Sequence, residues 1–278
     1  MADIDFPHLF LPEDPTSYQY VNPQGGGGDF SLPPRPSRRN HAEKVINALK
    51  AVWAESEALG QERKAVALPT RTGTYVEFES APEFDLKFKS LEARRSGIRL
   101  LNVRDEERED GRVVNKATLY VPKGKEHLLV KKVERYRDED TPKNQPKNRD
   151  LVESIENLRS AILQSFWFDP VAFLPPDNEA VWCEIWLRTD GNDAEVFASF
   201  QELCGVCKIP VREGFLAFPE RLVALAQASA NNLMEVLNSF DHIAEFRRAK
   251  ETADFWVEME NADQLEWADN LSGRLCVT

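Results

Sequence analysis

With 278 residues, 42% of them hydrophobic and 29% charged, the chain is long enough for one large or two medium domains with a real core. It contains no run of about 18 apolar residues, which excludes a membrane-spanning helix. Its start, MADIDFPHLFLPEDP, is acidic and proline-broken rather than basic and then apolar, so no signal peptide is read and a reducing cytoplasm is the expected location. The net charge of −12 is unevenly placed: 26 Lys and Arg face 24 Asp and Glu up to Arg149, and 9 face 23 after it. A second half this acidic repels nucleic acid and suits a protein partner.

Residues 1–40 hold seven prolines and the run GGGG at 25–28, and read as an irregular arm. A glycine run without a preceding strand and a Lys-Ser/Thr pair is not a phosphate loop. A helix is expected next, with Asn40 as N-cap and Ala42, Val45, Leu49, Val52 and Trp53 on one face. GTYVEFES (73–80) alternates like a strand, and EFDLKFKSLEARRSG (83–97) looks like a helix ending at Gly97. Two strands follow, in IRLLNVRDEER and RVVNKATLYVP, and then an amphipathic helix over 123–139 with Leu128, Leu129, Val133 and Tyr136 inward.

After a Pro/Lys/Asn linker, the apolar positions Leu151, Ile155, Leu158, Ile162 and Phe166 recur at spacings of 4, 3, 4 and 4, which predicts a connecting helix over 150–168. The earlier order then repeats: a strand in AVWCEIWLRT (180–189), a helix over 193–206, strands in KIPVREGFLAFPE and RLVALAQAS, and a long helix over 230–251. Each half reads β-α-β-β-α. The expectation is an α+β chain of two ferredoxin-like modules, at 41–149 and 180–278, joined by the 150–168 helix and preceded by the arm.

No residue cluster announces chemistry. His8, His41, His127 and His242 lie in the arm or in expected helices, none beside a nucleophile elbow, and G-x-S-x-G is absent. CGVC at 204–207 has no second pair at zinc-ribbon spacing, since Cys183 and Cys276 do not form one, so helix-core thiols are expected, with no metal or cofactor. The six tryptophans, Trp182 and Trp186 among them, fall at apolar positions, where core packing is their ordinary role. Neither FLAFPER nor IRLLNVR carries the aromatic signature of a ferredoxin-like RNA module.

Several stretches together are similar to a known family: GGGGDFSLPPRP, VEFESAPEFDLKFKSLEARRSGIRLLNVR, PKNRDLVESIENLR, VWCEIWLRT and IAEFRRAKETADFW. In this order, across nearly the whole chain, they resemble the N-terminal region of a group of large bacterial subtilisin-like serine peptidases (subtilases). The family's Asp-Thr-Gly, Gly-His-Gly-Thr and Gly-Thr-Ser motifs are not in this sequence, so no catalytic residue is carried over and this chain by itself is expected to have no peptidase activity. The resemblance implies a propeptide-like region that inhibits, chaperones or regulates the peptidase, its sheet docked on the catalytic domain. The extended tail after Gly273 would lie in the active-site cleft after self-cleavage, with Leu275 in the large apolar pocket, Cys276 and Val277 following, and Thr278 before the scissile bond. It also implies a bacterial defence context with an AAA-type ATPase as a second partner, for which the chain would serve as adaptor.

Overall fold

The computed structural model describes residues 31–249 together with Leu265. The chain opens in helix α1, Arg38–Ala65, capped not by Asn40 but by Ser37, whose hydroxyl accepts the Asn40 N–H. The first three residues of this helix therefore fall within the segment expected to be irregular, 1–40, of which residues 1–30 lie outside the described residues. Strand β1 (Thr74–Ser80), β2 (Arg99–Glu107) and β3 (Val113–Val121) follow, and then helix α2 (Glu126–Asp138).

The helix expected over 83–97 is two single 3-10 turns, Phe88–Ser90 and Arg94–Ser96. Glu83 sits at φ 64°, in the left-handed region that breaks a right-handed helix, and Gly97 at φ 76° closes the second turn. The place of the missing crossover helix on the sheet is taken by α1. It packs on α2 and sends Ala42, Val45, Ile46, Leu49 and Val52 into the same core as Val76, Phe78, Leu119 and Leu129.

The connecting helix expected over 150–168 is likewise a correction. Its residues form helix α3 (Arg149–Ser154), strand β4 (Ile155–Ser160) and a single turn, α4 (Leu163–Phe166). β4 completes a four-stranded antiparallel sheet, sheet 1, in the order β2-β3-β1-β4. The second half builds sheet 2 from β5 (Val181–Arg188), helix α5 (Asp193–Val206), β6 (Leu216–Phe218), β7 (Arg221–Ala228), helix α6 (Ala230–Ser239) and β8 (Ile243–Arg248). Its order is β6-β7-β5-β8, position for position that of sheet 1. Here too one expected helix, 230–251, is a helix and a strand.

Both fourth strands escaped sequence reading for one reason. Each carries a bulge beside its first residue: Ile155 pairs Ser80 and Asn157 pairs Glu79, while Ile243 pairs Leu187 and Glu245 pairs Trp186. The extra residues, Glu156 and Ala244, shift the alternation, so Ile155 and Leu158 face one core, and Ile243 and Phe246 the other. Apolar residues three apart are the spacing of a helix face.

With strand order and connections of the split β-α-β type, the chain holds two ferredoxin-like modules, the first borrowing its second helix from outside the β1–β2 crossover. They meet through a polar junction. Asp241 accepts hydrogen bonds from the backbone N–H groups of Thr72 and Gly73 and from the Thr72 hydroxyl at 2.7–3.0 Å. Gly73 must be glycine there, because a Cβ would stand 2.4 Å from the Tyr120 ring. The wholly buried Tyr75 donates its hydroxyl to the Phe240 carbonyl at 2.7 Å and accepts the Ile243 N–H at 3.1 Å. Arg71 donates to the Leu237 carbonyl, and its backbone N–H to that of Asn238, at the carbonyl-rich end of α6. Sheet 1 thus gives one end of its helix-free face to the second module.

Candidate functional site

In β5 the alternation sends Cys183, Ile185 and Leu187 under α5 and α6, and Trp182, Glu184 and Trp186 to the opposite face. Among the described residues that face carries no helix. With Val223 and Leu225 of β7, Leu216 and Phe218 of β6 and the loop 212–215, it forms a groove of about 660 Å³, in the size range of ligand sites. Trp182 and Trp186 are therefore not core residues, as their apolar sequence positions suggested, but half-buried groove residues. Leu216 and Phe218 are 66% and 46% exposed.

Ring and guanidinium contacts hold the groove in shape. Trp186 stacks on Phe218 at 5.5 Å and 18° between planes, and its indole N–H donates to Glu184 at 3.2 Å. Arg247 lies over the Trp186 ring at 4.8 Å and over Phe168 at 5.5 Å, and Arg212 over Trp182 at 5.0 Å. Arg247 is anchored by Glu245 at 2.6 Å. Flat rings, apolar ends and ordered guanidinium groups around one depression are the composition of an interface centre, where Trp and Arg dominate binding energies. Chemically the groove can take apolar and aromatic side chains at its floor and acidic groups at its rim.

The other sequence candidates lie elsewhere. Cys204 is buried in α5, its thiol pushed up to about 12 by burial, and Cys183 is pushed up to about 12 in the same way within sheet 2. Cys207 is half-buried at the end of α5. Thiols held protonated are poor nucleophiles and poor metal ligands. Among the described residues no group of three His, Cys, Asp or Glu could hold a metal ion. His41 donates from Nε2 to the Val152 carbonyl, and His242 from Nδ1 to that of Arg188, each at 2.9 Å; burial lowers the pKa of both. The tail positions Leu275, Cys276, Val277 and Thr278 lie outside the described residues. The groove itself was missed, though the alternation Trp182-Glu184-Trp186 against Cys183-Ile185-Leu187 was a usable signal: both faces of β5 are apolar, and the described helices cover only one.

No helix among the described residues is long and apolar enough to cross a membrane. No family model matches the chain, and no curated protein matches it. Among solved structures, it is similar to the small subunit of acetolactate synthase from Thermotoga maritima at 16% identity, over 64% of this chain and 92% of that one, with a TM-score of 0.22. A putative glycine cleavage system transcriptional repressor is similar at 10% identity, over 56% of this chain and 81% of that one, with a TM-score of 0.21.

Proposed function

We propose that the chain is a non-catalytic regulatory module that binds a protein partner through the helix-free face of sheet 2. The partner is the catalytic domain of a subtilisin-like serine peptidase of the group its sequence resembles. The observation that carries this reading is the groove: Leu216 and Phe218 stand exposed beside two tryptophans already fixed by ring and guanidinium contacts. Covering a leucine or phenylalanine side chain is worth about 1.5–3 kcal/mol, and pre-ordered rings lose little rotamer freedom on binding. The same sheet ends in β8, from which the chain runs on to Leu275–Thr278, so one sheet can dock while the tail enters the cleft as an added strand. His41 and His242, committed to backbone carbonyls, face no nucleophile, which supports a non-catalytic role.

The test is inhibition of a separately produced catalytic domain by the full chain. Phe218→Asp and Leu275→Asp are each expected to weaken it by at least about tenfold, the equivalent of one lost apolar anchor. Equal inhibition constants for both variants and the natural chain would sink the reading. Retained binding to an AAA-type ATPase, lost in Phe218→Asp alone, would make the groove an adaptor site instead.

A further inference from the structure

Of the strands that edge the two sheets, β8, β4 and β2 are closed by a linker, by side chains or by charge. On β8 the Phe246 carbonyl accepts the Phe168 N–H at 3.0 Å, the Ala244 carbonyl accepts from Asn102 at 2.9 Å, and the Arg248 N–H donates to Asp169 at 2.7 Å. On β4 Arg35 takes the Ile155 carbonyl at 3.0 Å, and Lys44 takes that of Glu156 at 2.8 Å. On β2 Arg221 takes the Leu101 carbonyl at 2.8 Å, and the strand ends in Asp105, Glu106 and Glu107, charges that discourage pairing. The remaining edge is β6. Phe218 and Arg221 flank a two-residue turn and so form a hydrogen-bonded pair, and alternation makes Leu216 and Val223 the next one. Ala217 between them therefore turns both its N–H and its C=O out of the sheet, where neither meets a partner among the described residues. The three residues of β6 are exposed, and Leu216 and Phe218 line the groove.

We infer that the partner presents an extended segment, which adds to sheet 2 beside β6 as a further strand. Main-chain groups aimed out of a sheet edge are met in pairs only by another extended main chain, and that chemistry selects the occupant. The partner residue opposite Ala217 exchanges two hydrogen bonds with it. The residues on either side of that one point to the groove face, where they extend the apolar floor beside Leu216 and Phe218. The segment is thus apolar at two positions two residues apart, and a basic residue at its end meets Glu213, which lines the groove and is exposed. A second copy of the chain would bring another net charge of −12 to this edge, which disfavours self-pairing. The inference rests on the reading of the groove as a docking site and adds the form in which the partner enters it.

Ala217→Pro in the full chain tests this, because it separates main chain from side chains. Proline deletes an N–H that faces out of the edge, a place where strands tolerate it, and leaves the groove lining as it is. Binding of the separately produced catalytic domain should weaken at least about tenfold, while Ala217→Ser, which keeps the N–H, should bind like the natural chain. Hydrogen exchange should find the Ala217 amide open in the free chain and slowed at least about tenfold in the complex, a readout that holds even if the proline variant fails to fold. Undiminished binding by a folded Ala217→Pro chain would overturn the inference. So would an Ala217 amide already protected in the free chain or still open in the complex, or a dimer of the chain alone that Ala217→Pro breaks. Undiminished binding by Ala217→Pro beside a loss in Phe218→Asp would keep the groove as docking site and remove the added strand. A loss in Ala217→Pro with Phe218→Asp binding normally would do the reverse. A catalytic domain that does not bind the natural chain would overturn both.

Discussion

On the helix-free face of sheet 1, Glu77 meets Arg104 at 2.8 Å and Arg159 at 2.7 Å; on that of sheet 2, Trp186 stacks on Phe218 at 5.5 Å. The strand order is the same, and the two faces solve the same problem in opposite ways. Sheet 1 satisfies itself with a lattice of charge: Glu79 pairs Arg108 and Lys116, and Lys116 pairs Glu106 as well. What remains of the face lies under the second module, around Tyr75, Tyr120 and Leu101. Among the described residues the groove face of sheet 2 has the pair Arg247–Glu245 and no such lattice, and its apolar floor gains free energy only when something covers it. A ferredoxin-like sheet left bare on one side can be finished by ions, as in the first module, or left with an apolar groove among its described residues, as in the second.

The sharpest break in the comparison is at the junction. Tyr75→Ala removes a wholly buried ring packed on Phe166 at 5.1 Å and orphans the Ile243 N–H, and is expected to destabilise by about 3–5 kcal/mol in urea melts. Partner binding, measured where the variant is still folded, should change little. Next comes the ionic face. Glu77 is 2% exposed, and Glu77→Leu leaves Arg104 and Arg159 without their shared carboxylate. Because Arg159 can turn to water, the expected loss is about 2–3 kcal/mol rather than the full penalty of a stranded pair.

Acidification should weaken both modules more gently. Burial lowers the folded-state pKa of His41 in the first and His242 in the second, so the unfolded chain takes up protons first as pH falls through about 6.5. Stability is therefore lost from pH about 6.5 downward, until the folded histidines also protonate. Urea midpoints at pH 7.5, 6 and 5 check the slope, and a His41→Gln, His242→Gln double variant should flatten it. The smallest expected stability effect is in the groove: Trp186→Ala should change the unfolding free energy from urea melts by less than about 1 kcal/mol while weakening partner binding more than tenfold. A large stability loss there would mean that the two faces are alike after all, and both structural.

Most of the fold was legible where one face is wet. In α2 the polar residues between Leu129, Val133 and Tyr136 mark the helix, and the charged turn between β2 and β3 marks the hairpin. Reading failed at 83–97, where apolar Leu86 and Leu91 are buried without a helix because α1 already fills that position on the sheet. It failed again at Trp182 and Trp186, because hydrophobicity says that a side chain avoids water but not which cover will keep water away.

Local patterning by itself determined that the chain is α+β, that its order repeats, and which residues seek a core, because those follow from periods of 2 and 3.6 along one segment. Tertiary structure alone decided the fourth strands and the site. A bulge at Glu156 or Ala244 makes a strand look like a helix, and only the waiting edges of β1 and β5 settle the matter by offering main-chain hydrogen bonds that a helix would leave unmade. Whether an apolar strand face becomes core or groove is likewise set by how many helices the chain has to lay on it, a property of the whole module and of no single stretch.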